Sequence, residues 1–97
     1  MSLKALRGEI LDFLYRIEPR YIEEIEIIGV FYQYHRDYEI KKALNYLVGR
    51  GYVKMQEIPY PYKQFEKKRL YGIAPDGVDI LELTKRDDGI IVPERKE

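Results

Sequence analysis

"IKKALNYLVGRGYV", residues 40–53, decides the fold. Ile40, Ala43, Leu44, Leu47 and Val48 recur at helical spacing, so they form one apolar stripe on a helix expected from Tyr38 to Arg50. Asp37 stands where a capping side chain would close the first turn. Gly51 stands where a helix stops in the left-handed conformation, and Tyr52 and Val53 are placed to fold over its last turn. The face opposite the stripe carries Tyr38, Lys42 and Asn45, flanked by Lys41 and Tyr46. It is polar and rich in hydrogen-bond donors.

C-terminal to this helix, "YVKMQEI" alternates, Val53 and Met55 against Lys54 and Gln56, and "KKRLYGIA" returns with Tyr71 and Ile73 on one side. These predict two antiparallel strands. Pro59 and Pro61 between them predict a long loop that does not extend the ladder. Pro75 suits a first helical position, so "PDGVDILELT" reads as a last helix through Val78, Leu81 and Ile80. "KRDDG" breaks that helix, and "IIVP" begins an extended tail.

N-terminal to it, Leu3, Leu6, Ile10, Leu14 and Ile17 mark an amphipathic helix over 3–17, widened by Leu11 and Phe13 and ended at Glu18-Pro19. "RYIEEIEIIGVFYQYH" is more ambiguous. Ile22, Ile25, Ile28 and Tyr32 fit a helical stripe, with Glu23, Glu24 and Glu26 in its first turns; the rival is a strand across 25–32.

The 97 residues suffice for one compact domain, 1–97, with 84–97 as its tail. Cysteine is absent, which excludes disulfides and thiolate metal sites and suits a cytoplasmic protein. No apolar run is long enough for a bilayer, so no membrane partner is expected. The charges in "MSLKALRGEILDF" are unlike a secretory signal. The formal net charge is zero but unevenly spread: residues 31–71 hold nine basic and four acidic side chains, between two acidic ends. A basic middle can face a polyanion although the total cancels.

With "IKKALNYLVGRGYV", then a hairpin, then "YGIAPDGVDIL", the chain resembles the winged helix-turn-helix family of transcriptional regulators over residues 3–83. The short length and the "TKRDDGIIVP" ending also resemble small winged-helix proteins of Mu-like phages. The resemblance implies an α+β fold, a three-helix core with a β-hairpin wing and a C-terminal helix. Residues 38–50 would be the recognition helix, 21–33 the helix before it and 54–73 the wing. It implies a cytoplasmic DNA-binding protein, a regulator of transcription on double-stranded DNA, acting without cofactor. Ala74 stands where the family often has a threonine cap. The long dimerisation helices of larger members are missing, which counts against their usual dimer. A homodimer on a two-fold site is nonetheless the common solution for so small a DNA reader, with the first helix or the "GIIVP" tail as its interface.

Under that reading phosphate contacts come from Arg36, Lys41, Lys42, Lys67, Lys68 and Arg69, with Lys63 at the wing tip, and base-edge contacts from Tyr38, Asn45 and Lys42. The plainer reading of the helix lysines is a solvated face. That of "EKKR" at 66–69 is an edge strand guarded against aggregation. The prolines stiffen a tip bearing Tyr60, Tyr62 and Phe65, which would touch a sugar, a base or a protein partner, at least one ring folding back as a lid. The alternative function is therefore a protein–protein adaptor using those three rings, without nucleic-acid binding. His35 is the single histidine and is expected in a turn near phosphate, not on a metal. With one histidine, no cysteine and almost no hydroxyl nucleophile, an enzyme is not expected.

Overall fold

The computed structural model describes residues 3–94; the side chains of Lys63 and Gln64 fall outside that description. In chain order the elements are α1 (Leu3–Arg16), β1 (Ile22–Glu23), α2 (Glu24–Phe31), α3 (Asp37–Gly49), β2 (Val53–Tyr60), β3 (Lys63–Ile73) and α4 (Pro75–Leu81). The strands form one antiparallel sheet in the order β1-β3-β2.

The stripes on α1 and α3 meet. Leu6, Ile10, Leu11 and Leu14 of α1 and Ile40, Leu44 and Leu47 of α3 are fully buried. Each such side chain contributes about 1.5–3 kcal/mol relative to exposure. Tyr71, Val53 and Ile22 close the core from the sheet, and Ile80 and Leu81 from α4.

The end of α3 follows from Gly51, whose φ of +80° is open to glycine at little cost. Its N–H donates to Val48 O (3.0 Å) and that of Tyr52 to Leu47 O (3.0 Å), the paired bonds that close a helix on a left-handed residue. At the other end Arg36, not Asp37, is the capping position. Asp37 is the first helical residue, and Glu39 Oε1 accepts the Arg36 N–H (3.0 Å).

The segment before α3 differs from its expected form. Ile22 and Glu23 pair with Tyr71 and Leu70 as a short strand, and the helix starts only at Glu24. Starting there turns Ile27, Ile28 and Phe31 inward and leaves Ile25 and Tyr32 exposed (71% and 64%).

The hairpin also departs from expectation, because the ladder runs on through the prolines. Pro59 pairs with Lys67 and Tyr60 with Lys63 around a tight turn at Pro61-Tyr62, with a register shift between Pro59 and Tyr60. β2 is an edge strand, which is where a residue without an N–H is tolerated. At about 3.3 Å per residue, β3 alone is some 36 Å long, in a molecule whose extents, hairpin included, are 42 × 27 × 25 Å. Among the described residues no helix is long and apolar enough to cross a membrane.

Candidate nucleic-acid interface

The outer face of α3 is as the stripe requires. Tyr38, Lys41, Lys42 and Asn45 are exposed, as is Arg36 at the helix start. Among the described residues neither Lys41 nor Lys42 forms an ion pair, so both ammonium groups stand free on that face. Tyr46 is the exception. It turns toward the tail, where its hydroxyl donates to Asp87 (3.0 Å) and the Arg7 guanidinium lies 3.8 Å from its ring centre.

The wing cations are arranged differently. Strand alternation puts Lys67 and Arg69 on the sheet face that carries Tyr71, and Lys68 on the other. Lys67 and Arg69 are exposed. Lys68 is partly covered, its Nζ 3.3 Å from Glu23 Oε1. Glu57 faces Arg69 across the ladder. Tyr71 donates its hydroxyl to Glu24 Oε1 (3.1 Å), and burial, with Glu24 beside it, pushes that phenol up to about 12. "EKKR" is therefore not one cationic surface: the Glu23 carboxylate of β1 holds part of it. The proposed phosphate contact of Lys63 lies outside the described residues.

The tip rings divide. Tyr62 and Phe65 are 98% and 94% exposed, so neither is a lid. Tyr60 is 37% exposed and lines the groove between the wing and the start of α2, with Glu24, Ile25 and Lys67. It is the least exposed of the three rings.

His35 does not face outward. It is buried, with Nε2 3.9 Å from Glu9 Oε2 of α1, so it lies under the α2–α3 turn and is not placed for phosphate.

Behind α3, Asp87 anchors the tail. Its carboxylate accepts from Tyr52 OH (2.6 Å), Tyr46 OH and the Gly89 N–H (2.7 Å), with Arg50 Nε at 3.8 Å. Burial opposes its ionisation, but these donors prevail and hold it below the ordinary carboxylate value. Ile90 is buried on the core, and the Ile91 N–H donates to Lys4 O (3.0 Å). Sequence reasoning missed this clamp and the Glu23–Lys68 pair. Asp87-Asp88 looks like a solvated acid pair until the fold brings two tyrosines to it.

Three helices with the third presented outward, followed by a projecting two-stranded hairpin and a closing helix, define a winged helix-turn-helix fold. Among solved structures the chain is similar to the crystal structure of Bacillus subtilis PadR in complex with operator DNA, with a TM-score of 0.63 and 17% sequence identity. The likeness covers 95% of this chain and 54% of that one, so the chain spans about half the length of PadR. No family model matches the chain, and no curated protein does.

Proposed function

We propose that this chain is a DNA-binding protein that regulates transcription in the cytoplasm, with α3 in the major groove and the wing along the backbone. The observation that carries it is the outer face of α3. Lys41 and Lys42 stand exposed and unpaired beside Tyr38 and Asn45, on a fold shared with a protein crystallised on operator DNA. An α-helix fits the major groove, where an amide such as Asn45 matches adenine and ammonium groups match phosphate or guanine. Arg36 at the helix start, and Lys67 and Arg69 on the wing, add phosphate contacts. Two copies on a two-fold site fit the small size of the reader.

The test is a charge reversal. The Lys41→Glu/Lys42→Glu variant should lose duplex binding in fluorescence anisotropy while keeping the wild-type melting temperature, since both side chains are exposed. Unchanged affinity would remove α3 from the interface. The exposure of Tyr62 and Phe65 favours a second reading, a protein-binding adaptor. In that case Tyr60→Ala/Tyr62→Ala should release a protein partner in a pull-down and leave DNA affinity as it was.

A further inference from the structure

We propose that the wing tip is a wedge which enters duplex DNA, unstacks a base step and kinks the helix axis, with Phe65 as the inserting ring. The inference rests on the DNA-binding reading above and goes beyond it, because backbone contact by a wing requires no ring at its tip.

Four features converge. Phe65 is 94% exposed and Tyr62, three residues away, 98% exposed, so neither ring is used by the fold. A phenyl ring has no polar atom, so contact with phosphate gains nothing from Phe65; stacking or insertion does. The register shift between Pro59–Lys67 and Tyr60–Lys63 gives β3 extra residues at this point, and Phe65 lies within them, pushed out of the regular ladder. Pro59 and Pro61 fix their φ angles in the opposing strand and turn, which limits the ordering cost of docking the tip.

The surroundings select the occupant. Lys67 and Arg69 are exposed on the same strand, two and four residues beyond the ring, within reach of phosphate on a duplex that the tip has entered. Apolar wedges of this kind enter the minor groove between base pairs and bend DNA by roughly 20–90°. A protein partner fits less well: a stable interface takes about 800 Å² per side with an apolar centre. This tip offers two rings on a narrow, charged hairpin.

The experiment uses a duplex of about 25 base pairs, a length at which bending is readily measured, labelled at both ends for energy transfer, with and without a central T·T mismatch. Wild-type protein should bring the ends closer on binding. It should also bind the mismatched duplex about tenfold more tightly, since a mismatch has already lost part of its stacking. Phe65→Ala should bind the intact duplex without bending it and lose the mismatch preference, whereas Phe65→Leu, still an apolar wedge, should keep both. Circular dichroism melts check that each variant folds. Binding with no change in transfer and equal affinity for the two duplexes overturns the wedge and leaves the DNA-binding reading standing. Absence of binding to either duplex overturns both. Loss of a co-purifying protein from Phe65→Ala, with bending intact, assigns the tip to that protein and overturns the wedge.

Discussion

Glu23→Gln should tighten DNA binding, although it touches a residue outside the recognition helix. In the free protein the Lys68 ammonium lies 3.3 Å from the Glu23 carboxylate, both side chains a little under a third exposed (28% and 29%). Two unit charges at that separation attract by about 5 kcal/mol at an effective dielectric of ~20. Desolvation and side-chain ordering leave partly exposed pairs with a net of about 0.5–1 kcal/mol. A phosphate competing for Lys68 must first displace the carboxylate, so neutralising Glu23 should improve affinity by about two- to fivefold. The salt dependence is the sharper readout. One more phosphate contact steepens the slope of log K against log salt by about 0.9, so the variant's advantage should shrink about 3.5-fold between roughly 50 and 200 mM salt. Anisotropy titrations of wild type, Glu23→Gln, Lys68→Gln and the double variant form a double-mutant cycle. Lys68→Gln alone should change little, and in the double variant the gain should vanish. Identical affinities and slopes for wild type and Glu23→Gln would refute the reasoning, because Lys68 would then not face phosphate at all.

Asp87→Asn should destabilise the protein by about 2 kcal/mol, because the carboxylate accepts three hydrogen bonds, two of them from tyrosines. Its folded pKa lies below the unfolded value of 3.8, so its contribution is complete at pH well above 4 and is lost as pH falls through the folded value. Thermal melts should accordingly separate wild type from variant at pH 7, with the gap narrowing as pH falls below 3.8; a gap unchanged in acid would exclude the charged clamp. Leu83 ends α4 at φ +63° and is exposed, where a side chain costs roughly 1–2 kcal/mol and glycine's extra unfolded freedom about 0.5–1. Leu83→Gly should therefore raise the melting temperature by about 3 °C, and a fall would contradict the strain.

Where contacts are local the sequence was a good guide. The stripes of α1 and α3 and the cap at Gly51 are set within a few residues, and the structure keeps them. The segment at 20–35 resisted for a physical reason. Ile22 and Ile25 are spaced for one helical face, but the phase of a helix depends on where it begins. That point is fixed by the pairing of Ile22 with Tyr71, which no local pattern reports. The hairpin failed in the same way: prolines signal a loop until the strand bearing them is known to be at an edge. For the candidate interface, residue types were legible and their availability was not. Lys41, Lys42 and Lys68 look alike in the chain, yet only Lys68 meets a carboxylate delivered from another element.

That division changes what a net charge of zero means. Several of the acids neutralise particular cations that are not on the outer face of α3: Asp12 with Arg16, Asp76 with Lys85, Asp87 with Arg50 and Glu23 with Lys68. The ammonium groups of Lys41 and Lys42 are left out of this pairing, so α3 keeps two unpaired cations on a molecule with no overall charge. Long-range attraction is then weak, and binding is carried by the few cations that reach phosphate directly. With Arg36, Lys41, Lys42, Lys67 and Arg69 as those contacts, the salt slope per protomer should be about −4.5. A protein relying on a broad basic surface would give a steeper value. A slope near zero would mean that none of the five touches phosphate. A slope near −6 per protomer would mean that the paired cations had let go of their carboxylates, and that binding rebuilds the wing.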